Sequence, residues 1–225
     1  MVSPKEIQAV ILAGGKGKRL GTLSKNTPKA LIKINGKVFL DILIEQLKKN
    51  GIKNFLILSG YKKEKIISHY KNDKIFILKG AENWQTLTRL ITAKKFIKGP
   101  NFLLMYCDNY IKNFSLKKIL LFKKKKLSQI IFSIVKKKKN QNGPIVIKKE
   151  KIFYQSKLNT NYTEAGYMLI NKKFFFKNLK TFKGNELSKY LKYLSKSNVF
   201  EGKYYGNNFF CIENQKLVKE TKNYL

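Results

Sequence analysis

The sequence predicts an α/β fold: a mostly parallel central sheet with helices on both faces, and a smaller mixed-sheet lobe after it. Three observations carry this. Short apolar runs without polar alternation, at residues 9–13, 54–59 and 102–107, read as strands buried on both faces. Amphipathic helical stretches alternate with them as far as Asp108, giving the β-α-β-α-β-α-β order of a doubly wound sheet. Beyond Asp108 the alternation gives way to several strands in succession.

Residues 6–13 form the first strand, and 14–27 a long loop with room for one helical turn. Residues 30–34 are a short extended segment closed by the turn pair Asn35-Gly36. Residues 38–49 gather Phe39, Leu40, Leu43, Ile44 and Leu47 on one helical face, with Asn50-Gly51 at the C-terminus. A strand over 54–59, a helix over 63–70 and a strand over 75–79 follow. The helix over 86–97 turns Leu87, Leu90, Ile91 and Phe96 inward, and the strand over 102–107 ends on Asp108. In the second half, 115–126 is a lysine-rich helix, and 128–135, 144–148, 152–154 and 163–170 are strands, with 136–143 a solvated turn. Residues 188–195 and 215–225 are helical. No repeat, linker or composition break divides the chain. The expectation is one domain over 1–225, with halves at about 1–110 and 111–225.

A chain of 225 residues can bury a full core. It has no apolar run near the length of a membrane-spanning helix, and residues 1–8 are polar, unlike the apolar stretch of a signal peptide. Cys107 and Cys211 lack metal-ligand spacing, so a reducing cytoplasm is expected, with Cys107 a small apolar residue in a buried strand. The net charge of +35 is large enough to attract nucleic acid or anionic membrane. Of the 48 cationic residues, however, only Arg19 and Arg89 are arginine, and lysine is spread through every segment. Nucleic-acid surfaces favour the arginine fork, so no nucleic-acid or membrane partner is expected. The lysine runs at 123–126 and 136–139 read as solvated faces. Where arginine is so scarce, the two that remain mark places that need a planar fork.

The stretch with most chemistry is Ala9-Val10-Ile11-Leu12-Ala13-Gly14-Gly15-Lys16-Gly17-Lys18-Arg19-Leu20. Gly14, Gly15 and Gly17 permit a tight turn and let backbone amides approach a ligand. Oriented amides with Lys16, Lys18 and Arg19 make an anion site suited to a polyphosphate. The dinucleotide fingerprint fails, because its third glycine would fall at Leu20, and the P-loop spacing fails as well. What remains is a strand followed by Gly-Gly-x-Gly-x-Arg, with Pro28-Lys29 downstream.

This pairing resembles the signature of the sugar-phosphate nucleotidyltransferases, and the resemblance runs over nearly the whole chain. It implies a Rossmann-like sheet with a sugar-binding second lobe, and attack by a sugar 1-phosphate on the α-phosphate of a nucleoside triphosphate with Mg²⁺ as cofactor. Carried over residue by residue, it makes Arg19 and Lys29 catalytic, acting on phosphate charge. Leu12, Ala13, Gly14, Gly15 and Gly17 would bind nucleotide, joined by Gln85 and Thr86 from Glu82-Asn83-Trp84-Gln85-Thr86-Leu87-Thr88-Arg89-Leu90, a Thr-rich variant of the family's base-contacting segment. Asp108 would hold the metal, with Cys107 standing where the family has Gly. Glu164 and Gly166, in Thr163-Glu164-Ala165-Gly166-Tyr167-Met168, would contact the sugar, and Lys151 or Lys157 its phosphate. The tail, Phe209-Phe210-Cys211-Ile212-Glu213, lacks the family's second metal-binding Asp, and Glu213 is the candidate substitute. That tail is similar to heptose 1-phosphate guanylyltransferase-like proteins, with a cytidylyl- or uridylyltransferase or an inactive nucleotide-binding relative as alternatives. A cytoplasmic monomer or homodimer is the expected form.

Overall fold

The computed structural model describes residues 3–125, 128–136, 144–148, 151–155, 160–197 and 199–223. The first strand, β1 (Gln8–Ala13), is buried along its whole length, as its unbroken apolar run requires. Its side chains alternate between two cores. Ala9, Ile11 and Ala13 meet one layer, and Val10 and Leu12 the other. The loop after β1 carries a short 3₁₀ turn and α1 (Thr22–Lys25), then a second 3₁₀ turn at Lys29–Leu31. A small hairpin, β2 (Lys33–Ile34) and β3 (Lys37–Val38), leads into α2 (Phe39–Lys49). α2 buries the five residues its periodicity selects, Phe39, Leu40, Leu43, Ile44 and Leu47.

The alternation continues through β4 (Asn54–Ser59), α3 (Lys63–His69), β5 (Phe76–Lys79), α4 (Thr86–Ala93) and β6 (Asn101–Tyr106). β7 (Asn109–Ile111), α5 (Leu116–Lys125), β8 (Ile130–Lys136), β9 (Ile145–Lys148), β10 (Lys151–Tyr154) and β11 (Tyr162–Asn171) follow. α6 (Lys172–Lys177), α7 (Leu187–Leu194), β12 (Phe200–Tyr204), β13 (Phe209–Cys211) and α8 (Gln215–Lys222) complete the chain. Among the described residues one sheet runs β10-β9-β11-β6-β1-β4-β5, with β8 beside β11 and β12 beside β8. β6, β1, β4 and β5 are mutually parallel. β11 enters antiparallel to β6, and β8 antiparallel to β11, which makes the second half mixed. Ala13 pairs with Ser59, Ser59 with Lys79, and Leu12 with Tyr106. Four strands therefore end together, and the segments after them share one edge, where open α/β sheets hold ligands.

Several expectations need correction. Residues 30–34 are not one extended segment: Pro28, with ψ 145, starts the 3₁₀ turn, and only Lys33–Ile34 pair as a strand. Val38 belongs to β3 rather than to α2. Ile91 is 44% exposed instead of inward. α4 ends at Ala93, and Ile91 lies about 100° round the helix from Leu90. The pattern missed α6, β7, β12 and β13. Of the turn expected at 136–143, Lys136 instead ends β8; the rest of it and Lys157 lie outside the described residues, as do the ends of the lysine-rich and C-terminal helices.

Candidate active site

The carboxyl ends of β1 and β6 open into a cleft of about 570 Å³. Leu12, Gly14, Gly15, Gly17, Arg19 and Lys29 line it from the first half of the sheet edge. Gln85 and Thr86 line it at the start of α4, Asp108 after β6, and Glu213 before α8. Ala13 does not: it faces the opposite core, one residue out of phase with Leu12.

The glycine loop serves three different needs. Gly14 is buried, and a Cβ there would run into the guanidinium of Arg89. Gly15 is exposed, and a Cβ there would meet nothing within 4 Å, so its backbone stands open. Gly17 sits at φ +63, the left-handed region that glycine enters without strain, and starts the 3₁₀ turn Lys18–Leu20. The Ser24 hydroxyl donates to the Gly17 carbonyl at 2.8 Å and fixes that turn. Lys16 Nζ lies 3.8 Å from Glu82 Oε2, both half exposed. Arg19 forms an ion pair with Glu213, joining the loop to the segment before α8. The Gln215 amide adds a bond to the Leu20 carbonyl at 3.2 Å.

Lys29 and Asp108 form a second ion pair, deeper and mostly shielded. Burial works against the Lys29 charge, but the Asp108 carboxylate, through its charge and its hydrogen bond, more than offsets this and raises the Lys29 pKa above the ordinary value. Asp108 is placed by backbone: its carbonyl accepts from Ile212 N–H at 2.9 Å, which ties the β6–β7 turn to β13. Burial, helped by Asp108, pushes the Cys107 thiol up to about 12, so it is no nucleophile near neutral pH.

Glu164 and Gly166 lie one step behind the cleft and are absent from its lining. The Glu164 carboxylate accepts from Gly166 N–H at 2.6 Å and hydrogen-bonds Tyr106, which does line the cleft. Its partners are thus an amide and a phenol, not a lysine. Burial pushes its carboxyl up to about 7, against the downward pull of those two bonds. Gly166 has φ +73, and a Cβ there would crowd Asn109 Nδ2 and the Tyr106 ring, so glycine is required by conformation and by space. Lys151 opens β10. Thr86 is also engaged in structure, since its hydroxyl accepts from Leu187 N–H at 3.3 Å.

Arg89 is the residue the sequence reading left without a role. It is 4% exposed, and its guanidinium donates to the carbonyls of Ser59, Ala81, Gly14 and Glu82. Burial lowers its pKa. The scarcity of arginine was the only signal in the sequence that pointed here.

The model of a family described as nucleotidyl transferase matches residues 8–153. The chain belongs to the nucleotidyl transferase family. It is 47% identical over 58 residues to a choline-phosphate cytidylyltransferase of Streptococcus pneumoniae, covering 26% of this chain and 25% of that protein. It is also 47% identical over 58 residues to a D-glycero-alpha-D-manno-heptose 1-phosphate guanylyltransferase of Campylobacter jejuni, covering 26% of each chain. The aligned stretch thus spans about a quarter of these curated relatives. The solved structure of a CTP:phosphocholine cytidylyltransferase from Streptococcus pneumoniae shares the fold, with a TM-score of 0.78 at 21% identity over 97% of this chain and 99% of that one.

Nucleotidyl transferases generally use a divalent metal ion. In this member three carboxylates line the cleft, Asp108 and Glu213 on one side and Glu82, paired with Lys16, on the other segment. Among the described residues no three His, Cys, Asp or Glu side chains cluster as a metal cage. Few carboxylates with room for other oxygen donors is the donor set that fits Mg²⁺ bound together with phosphates.

Proposed function

We propose that this nucleotidyl transferase moves a nucleotidyl group from a nucleoside triphosphate to a sugar 1-phosphate, with GTP and a heptose 1-phosphate as its substrates. The observation that carries the reading is the convergence of the cationic glycine loop and the Lys29–Asp108 pair on one cleft at the sheet edge. In the reaction, an oxygen of the sugar phosphate bonds to the α-phosphorus. The bond from that phosphorus to the bridging oxygen breaks, and its electron pair leaves with pyrophosphate. Both reactants are anionic, so the protein's task is alignment and charge, with no proton transfer required.

The Gly15 and Gly17 amides with Lys16, Lys18 and Arg19 receive the phosphate tail. Arg19 neutralises the departing pyrophosphate. Lys29 exchanges Asp108 for the reacting phosphates. Gln85 and Thr86 meet the base, and Leu12 and Gly14 shape the floor between. Ala13 supports that floor from the core side. Glu164 and Gly166 act on the sugar through the Tyr106 wall. Asp108, aided by Glu213, would hold Mg²⁺, which supplies positive charge between the two approaching phosphoryl groups. The reaction would take place in the cytoplasm.

A second reading, cytidylyl transfer to phosphocholine or another small phosphate, is favoured by the equal identity to the choline-phosphate cytidylyltransferase. A pyrophosphate-release screen separates the two, using GTP, CTP, UTP and ATP against a panel of sugar 1-phosphates and phosphocholine with Mg²⁺. Turnover is expected with one donor–acceptor pair. Asp108→Asn should abolish it while triphosphate binding persists. Intact triphosphate binding with no turnover in any pair would instead mark an inactive relative.

A further inference from the structure

We propose that Arg89 is a positioning residue for nucleotide binding: its guanidinium fixes the phosphate loop and the 81–85 segment at one separation, so that both ends of a nucleoside triphosphate are gripped together. The identity of the ligand rests on the proposed function; the junction itself does not. The guanidinium sits just beyond the carboxyl ends of β1, β4 and β5. Nη1 donates to the Ser59 carbonyl at 2.5 Å. Nη2 donates to Ala81 at 2.9 Å and reaches Gly14 and Glu82 at 3.4 Å. Gly14 follows β1, Ser59 ends β4, and Ala81 and Glu82 follow β5.

Past the strand ends the ladder of backbone bonds stops, and buried carbonyls there need other donors. One planar fork donates to carbonyls of three chain segments at once, which a lysine's point-like ammonium cannot do, and adds to the Tyr61 N–H on Gly14 and the Trp84 N–H on Ala81. The carbonyl dipoles in turn compensate a cation that would be costly to bury alone. Three glycines are fitted to the group. A Cβ on Gly14, Gly60 or Gly80 would come closer than 3.0 Å to guanidinium atoms. The junction is therefore built around this side chain and leaves it little freedom.

Its two flanks both lead into the cleft, where Lys16 of one and Glu82 of the other lie 3.8 Å apart. Gly14 runs into Gly15–Arg19, and Ala81–Glu82 run into Asn83–Gln85, and both stretches line the cleft. A ligand that reaches both flanks gains from the second contact because the first has already placed it, and the gain depends on how stiffly the flanks are linked. Loosening Arg89 removes that gain while leaving each set of contacts in place.

Calorimetric titration of GTP, CTP and inorganic tripolyphosphate into wild type, Arg89→Lys and Gly60→Ala tests this. Gly60→Ala keeps the guanidinium and displaces it, so it carries the test alone should Arg89→Lys fail to fold. In both variants the affinity for the nucleoside triphosphate should fall about tenfold, while that for tripolyphosphate stays within about twofold. Parallel losses would mean a direct phosphate contact or a general loss of structure, and would overturn the inference, as would no change in either ligand. A wild type that binds neither GTP nor CTP would overturn the proposed function and this inference with it. A wild type that binds, with no split in the variants, would overturn the inference alone.

Discussion

Arg19 and Glu213 hold each other at the cleft, so the cation assigned to the leaving pyrophosphate is already oriented by an acid from the far end of the chain. A fork can keep one such partner and still present a second edge to phosphate, whereas an ammonium offers one point of charge. Arg19→Lys should therefore fail despite its conserved charge. The loss expected is about 3 kcal/mol in the barrier, or roughly two orders of magnitude in turnover. Wild-type turnover by this variant would refute the role. Glu164 supports a different measurement. Its carboxyl titrates near 7 in the fold instead of 4.5, with burial the main cause and Asp108 adding to it. Tyr106, Tyr154 and the Gly166 amide are its other electrostatic neighbours. Between those values the folded chain holds a proton that the unfolded chain has released. Stability from this group is thus full below pH 4.5 and falls as pH rises towards 7. Urea unfolding over pH 4.5 to 8 should show Glu164→Gln gaining stability relative to wild type as pH rises. A constant difference across the series would show that the carboxyl does not titrate in that window.

At the scale of elements, α4 and α7 cap each other. Thr86 Oγ1 accepts from Leu187 N–H at 3.3 Å, and the Asn185 carbonyl accepts from Leu87 N–H at 3.2 Å. The first turn of each helix thereby satisfies amides that have no partner within it. Thr86→Val keeps the shape and removes the acceptor, and should cost about 1 kcal/mol of unfolding free energy in denaturant titrations. An unchanged stability together with weaker triphosphate binding would place the hydroxyl on the nucleotide instead. This contact also shows what the sequence could and could not reveal. The face of α2 and the two-sided burial of β1 are local patterns, and both were readable. The glycine loop and Pro28-Lys29, which meet at the cleft through Lys29, stood out for the same reason, being close in sequence. α6 was not, because its residues carry three adjacent phenylalanines with no helical period, and its start is set by the Asn171 side chain accepting from Phe174 N–H at 2.9 Å. β12, with Glu201, Gly202 and Lys203 at its centre, is a strand because it pairs with β8. Arg89 satisfies carbonyls at positions 14, 59, 81 and 82, a constellation that exists only after the strands have been brought side by side.

At the scale of the whole molecule, 48 cationic residues face 13 acidic ones, so most lysines have no carboxylate to pair with. Three of the ion pairs, Lys29–Asp108, Arg19–Glu213 and Lys16–Glu82, place scarce acids at the cleft instead of spreading them over the surface. The remaining charge repels itself in the compact state and attracts polyanions to the cleft. Salt acts on both effects, because the screening length shrinks from about 10 Å at 0.1 M to about 3 Å at 1 M. Relief of self-repulsion should raise the melting temperature, each kcal/mol recovered being worth about 2–4 °C in a chain of this size. The same screening weakens the pull on a triphosphate, so its KM should rise over the same range. A potassium chloride series that follows melting temperature and KM together should show them increasing in parallel. A melting temperature that falls with salt would mean that the paired charges outweigh the unpaired ones, and that the lysine excess costs the fold little.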